Sequence, residues 1–197
     1  MSIYACPPED HWSAVKCIMC YLQATTTYSL HITRDSLLSL HGFTDADWAG
    51  SIDDRKSTGG YLVYLGSTPI SWKSRKQRTV VRSSTEAKYK ALADGTAEIL
   101  WIHSLLSELR VPSSIVTTLW CDNLGVTFLS ANPVFHARTK HVEIDYHFVR
   151  DRVTKREIQV RFISSKDQLV DVLTKPFPPV LFAYFRSKLL VESPPLA

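Results

Sequence analysis

Leu40-His41-Gly42-Phe43-Thr44-Asp45-Ala46-Asp47-Trp48 (LHGFTDADW, residues 40–48) reads as an extended strand that ends in acids. The turn-rich stretch SIDDRKSTGG, residues 51–60, breaks it before a second strand from Gly60 to Leu65. Gly66-Ser67-Thr68-Pro69 is a short turn, and Ile70-Ser71-Trp72-Lys73 is the last arm of an antiparallel meander. A long helix is expected from about Ser84 to about Leu109, closed by Val111-Pro112. Ile115 to Cys121 is an apolar, β-branched strand that leads into Asp122-Asn123 and a short helix to about Ala131, stopped by Asn132-Pro133. A further helix covers Val142 to Val153, and Ile158 to Ile163 alternates like a strand. Lys166 to Leu173 then reads as a last short helix. The order βββ-α-β-α-α-β-α belongs to the α/β class. Strands separated by helices imply a sheet that is parallel on one side of the first strand, so the sheet is mixed, with helices on its faces.

Before this unit, Asp10 can cap a helix over about 10–24 in which Val15, Ile18, Met19 and Leu22 share one apolar face, with Cys17 and Cys20 on the opposite side. The expected layout is an N-terminal segment 1–27, a main domain 28–177 and an extension 178–197 with a disordered end. A chain of 197 residues, 45% hydrophobic and 21% charged, suits one globular core. No apolar run approaches the ~18 residues of a membrane span, and the N-terminus lacks a secretory layout. An intracellular protein that is neither secreted nor membrane-bound is therefore expected. The net charge of +4 suits an anionic partner without demanding one. Cys6, Cys17, Cys20 and Cys121 are too few for a disulfide scaffold and read as free thiols.

Two strands end in acids, Asp45 and Asp122. If those strands are adjacent and parallel, the carboxylates lie about one strand spacing apart, ~4.8 Å, at the carboxyl edge of the sheet. That scale suits a pair of Mg2+ ions about 3.5 to 4 Å apart, which together clamp a phosphodiester. On spacing alone, the alternative is that Asp122 caps the following helix and Asp45 is a solvated strand-end acid.

These residues also carry a resemblance. TDADWAG (Thr44 to Gly50), DDRKSTGGY (Asp53 to Tyr61), ISWKSRKQ (Ile70 to Gln77), SSTEAKY (Ser83 to Tyr89), WCDN (Trp120 to Asn123), RTKHVEIDYHFVR (Arg138 to Arg150) and DVLTKPF (Asp171 to Phe177) are similar, in unbroken order, to successive motifs of the ribonuclease H domain of copia-type LTR retrotransposons. HWSAVKCIMCYL resembles the end of that family's reverse transcriptase connection. The resemblance implies a ribonuclease H-like, five-stranded mixed sheet of order 3-2-1-4-5 and two-metal hydrolysis of the RNA strand of RNA–DNA hybrids. It also implies Mg2+ as cofactor, with Mn2+ possible, and the reverse transcriptase portion of a parent polyprotein as partner. The location implied is cytoplasmic, in a virus-like particle of the parent element, or nuclear. Asp45, Asp122 and Asp171 match the family's catalytic, metal-holding carboxylates. The remaining ligand is a glutamate on the first long helix, where the family usually reads EAEY and this chain reads Glu86-Ala87-Lys88-Tyr89.

Helical geometry separates Glu86 from Lys88. Counting about 100° per residue from Leu92, the apolar set Ile99, Leu106, Gly95, Ile102 and Leu109 falls between about −20° and −100°. Lys88 falls at about −40°, on that sheet-facing stripe, and Glu86 at about +120°. Ser83-Ser84-Thr85-Glu86 is moreover a capping box in which Glu86 bonds back to the helix start. Lys88 is therefore expected to pair with Asp45 or Asp122 and impair cleavage, while Glu86 reaches the site only if the first turn departs from ideal geometry. The alternatives are a non-catalytic hybrid-binding or interaction module, or a decayed relic of the element. Cys17, Cys20, Val170 and Arg156 also depart from the family's usual wording, Arg156 where glycine is frequent.

Lys73, Arg75, Lys76, Arg78 and Arg82 precede the long helix and suit phosphate contacts along a hybrid. Arg138, Lys140, Arg150, Arg152 and Arg156 extend that track on charge alone. His136, His141 and His147 do not have the spacing of a zinc site. Trp72 and Trp101 read as exposed packing residues for a neighbouring domain.

Overall fold

The computed structural model describes residues 9–32, 38–111, 116–132 and 143–192. The chain runs α1 (Glu9–Thr25), β1 (Ser29–Leu30), β2 (Leu40–Asp47), β3 (Thr58–Leu65), β4 (Thr68–Lys76), α2 (Ser84–Glu108), β5 (Thr117–Cys121), α3 (Leu124–Ala131), α4 (Glu143–Thr154), β6 (Ile158–Phe162), α5 (Asp171–Thr174), α6 (Pro179–Lys188) and β7 (Val191–Glu192). The main sheet has the order β4-β3-β2-β5-β6, which is the expected 3-2-1-4-5 when its five strands alone are numbered. β2, β3 and β4 form the antiparallel meander, while β5 lies parallel to both β2 and β6. The helices between these later strands make the crossovers that parallel pairing needs.

Alternation along β2 sends neighbouring residues to opposite faces. Gly42 and Thr44 face α2, where Gly95 brings the helix so close that a Cβ there would lie 2.8 Å from the Thr44 methyl. Leu92, Ile99, Ile102 and Leu106 of α2 pack with Val63, Leu119, Val149 and Ile158 into the larger core. Burying one such side chain contributes about 1.5 to 3 kcal/mol. On the other face, Phe43, Leu62, Tyr64 and Val170 form a smaller core. Asp45 shares that second face.

The final helix differs from the expected Lys166 to Leu173. A 3-10 turn at Ser165–Asp167 is followed by a break, and α5 begins only at Asp171. Gln168 causes the break: fully buried, it donates through Nε2 to the Thr44 carbonyl at 3.1 Å. That bond pulls the chain onto the sheet instead of letting the turn propagate. α6 and the small β1–β7 ladder lie beyond the expected elements; Leu30 pairs with Val191, and the Arg186 guanidinium stacks 3.9 Å from the centre of the Tyr28 ring.

Leu109, counted on the buried stripe of α2, is exposed because it caps the helix after its last turn. Val15, Ile18, Met19 and Leu22 of α1 are exposed as well, and this helix meets α6 through the edge contact of Tyr21 with Phe182. Cys17, Cys20 and Cys121 are free thiols. Trp72 and Trp101 are exposed, as expected. Among the described residues no helix is long and apolar enough to cross a membrane. Cys6, the Asp10 side chain, Pro112, Ile115, Pro133, His136, Arg138, Lys140, His141, Val142 and the 193–197 tail lie outside the described residues.

Candidate active site

Asp45 and Asp122 come together because β2 and β5 are parallel neighbours. Their ladder pairs Thr44 with Cys121, so the next residue on each strand leaves the same edge of the sheet. Asp171, at the start of α5, approaches from the far side. One carboxylate oxygen from each of the three lies within 4.8 Å of the others. The alternative roles do not hold: Asp45 has no exposed surface, and α3 is capped by Asn123, whose Oδ1 accepts from the Val126 amide at 3.0 Å.

Lys88 projects from the second turn of α2 into this cluster. Its Nζ lies 2.9 Å from Asp45 Oδ1 and 2.5 Å from Asp122 Oδ1, so it pairs with both acids and not with one. Asp122 Oδ2 also accepts from the Ser165 hydroxyl at 3.2 Å. Glu86 lies away from the cluster, as helix counting expects. Its Oε2 accepts from the Arg82 amide at 2.9 Å, and its own amide donates to Ser83 Oγ at 3.2 Å. The capping box is thus made, with its return bond one residue earlier than the cap.

Sequence reasoning missed Thr174 and Lys175. The Thr174 hydroxyl donates to Asp45 Oδ2 at 2.7 Å. Lys175 Nζ lies 2.7 Å from Asp171 Oδ1 and 3.3 Å from Asp45 Oδ2. The signal was available in DVLTK, because residues three and four past Asp171 return to its face after one helical turn.

Two ammoniums among three carboxylates dominate the electrostatics. Burial works to raise the Asp45 carboxyl, but Lys88, Thr174 and Lys175 outweigh it and hold the group at about 2. Burial likewise works against the charged Lys88, yet Asp45 and Asp122 lift it to about 12. Burial pushes Asp171 up to about 6, with the Asp45 charge adding to it and the Lys175 hydrogen bond opposing it. The hard oxygen donors suit a divalent cation. Lys88 does not: an ammonium has donors only, and it fills the space between Asp45 and Asp122.

The basic residues are divided by the sheet. Asp45 pairs in register with Gly60, and Gly60 with Ser74, whose hydroxyl donates to the Leu173 carbonyl on the α5 face. Lys73 and Arg75 flank Ser74 and so project from the opposite face, where Lys73 pairs with Asp94 at 2.9 Å. Lys76 pairs with Asp54 at 2.8 Å. Arg75, Arg78 and Arg82 are exposed and have no acidic partner within 4 Å among the described residues. Arg152 pairs with Glu157 at 3.1 Å, and Arg150 lies over the Tyr146 ring.

No protein-family profile matches the chain. It is 48% identical over 190 residues to the retrovirus-related Pol polyprotein from transposon RE2 of Arabidopsis thaliana, a match covering 96% of this chain and 13% of the relative. The corresponding polyprotein from transposon RE1 is 49% identical over 189 residues, again 13% of its length. The polyprotein from transposon TNT 1-94 of Nicotiana tabacum is 40% identical over 172 residues, or 87% of this chain. The chain therefore spans about an eighth of the length of each of these three polyproteins. In structure it is similar to LC11-RNase H1, solved in complex with an RNA/DNA hybrid, with a TM-score of 0.51, 10% identity, and coverage of 69% of this chain and 94% of that one.

Proposed function

The chain belongs to the retrovirus-related Pol polyproteins of transposons, of which it is a ribonuclease H-like domain, and from that premise we propose that its carboxylate edge is a two-metal hybrid-nuclease site whose activity is impaired by Lys88. Asp45, Asp122 and Asp171 are the residues that would hold Mg2+, or Mn2+ in its place. When bound, such ions supply an activated water and neutralise charge at the scissile phosphate. The chain's own part is to aim the carboxylates: the strand ladder places Asp45 and Asp122, and Thr174 orients Asp45.

The observation that carries the impairment is the position of Lys88 Nζ between Asp45 and Asp122. A unit charge pair at 4 Å gains about 4 kcal/mol at an effective dielectric of 20, and these contacts are closer. Lys88 thus competes for the oxygens that a cation needs. The test is Mg2+-dependent cleavage of a labelled RNA–DNA hybrid. The native chain should cleave far more slowly than Lys88→Glu, and equal, robust rates would reject the proposal. A folded Lys88→Glu that stays inert would reject Lys88 as the block.

The exposed Arg75, Arg78 and Arg82 favour a second reading, a module that binds hybrid without cutting it. Filter binding that weakens steeply with salt and is equal for native and Lys88→Glu chains, with no cleavage by either, supports it. In both readings the first 27 residues are the end of a reverse transcriptase connection and residues 28–177 the ribonuclease H-like domain. The partner is then the reverse transcriptase portion, inside a cytoplasmic virus-like particle or the nucleus.

A further inference from the structure

The two lysines are arranged alike and held differently. Each bridges Asp45 to one other carboxylate. Lys88 joins Asp45 Oδ1 to Asp122, and Lys175 joins Asp45 Oδ2 to Asp171. Asp45 is thus shared by two cations, one per oxygen. Its Oδ1, buried without an aligned hydrogen bond, is satisfied by charge alone.

Their anchoring separates them. Lys88 stands on the 25-residue α2 with its side chain 12% exposed. Lys175 follows the four-residue α5 in extended backbone, with its side chain 31% exposed. Lys175 can swing into water and be rehydrated while Thr174 still holds Asp45 Oδ2. Lys88 has no comparable exit, because leaving would strand two buried carboxylates.

We propose that Lys88 and Lys175 occupy the two cation positions of this cluster, and that only the Lys175 position is exchangeable. The native chain then takes up a single divalent cation, between Asp45 and Asp171, as the Lys175 ammonium moves out to solvent. No bond breaks in this exchange. Charge in the cluster rises by one unit, as a divalent ion replaces an ammonium. The inference rests on reading the cluster as a cation site but not on hybrid cleavage.

The test is to titrate the whole chain with Mn2+ and count bound ions by electron paramagnetic resonance and calorimetry. The native chain should bind one ion, and Asp171→Asn should lose it. Lys175→Ala should still bind one, about tenfold tighter, the equivalent of 1.4 kcal/mol from removing the competing charge. Lys88→Glu should bind two. A second readout uses the unmodified chain: with Mn2+ added, acylation of Lys175 should rise severalfold, as mapped by mass spectrometry, while Lys88 stays unlabelled. Two ions in the native chain, no binding at all, an unchanged affinity in Lys175→Ala, or labelling of Lys175 insensitive to Mn2+ would each overturn the inference. Should these stoichiometries hold while every variant fails to cleave hybrid, the nuclease reading falls and the exchangeable site stands.

Discussion

Lys88 Nζ lies 2.9 Å from Oδ1 of Asp45, a carboxylate with no solvent exposure. Removing one member of a buried ion pair costs about 3 to 5 kcal/mol, because the other charge stays desolvated. Here two carboxylates would be stranded. Lys88→Ala should therefore lower stability by about 3 kcal/mol in chelator, and Mg2+ should restore part of the loss. Urea unfolding with and without Mg2+ reads both effects. A variant as stable as the native chain in chelator contradicts the structural role of Lys88.

Asp171 and Asp45 shift in opposite directions, and the signs define an acidic stability maximum. Asp171 is raised from 3.8 to about 6, so the folded chain binds its proton first and stability rises as pH falls from about 6 towards 4. Asp45 is lowered from 3.8 to about 2, so its contribution is present above 3.8 and is lost as pH falls through 2. Each limb is on the order of 2 kcal/mol. Asp171→Asn should flatten the rise between pH 6 and 4 and leave the loss below 3.8. Thermal melts across pH 2 to 7 on native and variant chains, a range set by these shifts, check the assignment.

Arg156 adopts a left-handed backbone, φ 58°, in the turn between α4 and β6, where its amide donates to the Val153 carbonyl at 3.0 Å. A side chain in that region costs about 1 to 2 kcal/mol, part of which glycine returns as unfolded-state entropy. Arg156→Gly should stabilise the fold by about 0.5 to 1 kcal/mol, seen as a higher Tm. A lower Tm would show that the exposed arginine contributes more than the backbone strain removes.

Gly60 lets α5 lie against the sheet. A Cβ at this position would meet the Lys73 carbonyl at 2.9 Å and the Thr174 and Val170 methyl groups at 3.1 Å. Gly60→Ala should cost about 1 to 3 kcal/mol by overpacking. It should also weaken the Thr174 to Asp45 hydrogen bond by lifting α5. The check is denaturant unfolding alongside the amide shifts of residues 171–175. Unchanged shifts would mean that Lys73 gives way instead of α5.

The sheet was legible because its strands alternate and its helices are bounded by Gly, Pro and capping residues. Local chemistry of this kind acts over a few residues, so the Lys88 and Glu86 placements could be counted from helical period alone. Asp171 was legible only through resemblance. Nothing local tells that Gln168 will interrupt a helix, since its partner is the Thr44 carbonyl 124 residues away. Thr174 and Lys175 were overlooked for a related reason: their partner Asp45 is equally remote. α1 shows the converse failure, as its apolar stripe forms on the helix but is left exposed.

Period and capping are properties of neighbouring residues, and they suffice for the α/β order, the strand-end acids at Asp45 and Asp122, and the inward slot of Lys88. How those charges are shared emerges only in the assembled fold. Lys88 takes both Asp45 and Asp122, Lys175 joins Asp45 to Asp171, and Lys73 and Arg75 leave by the opposite face. The reason is physical: ion pairing depends on distances of a few ångströms between segments remote in the chain, and those distances exist only once the parallel strands, the broken turn at Gln168 and the close approach at Gly60 have been assembled.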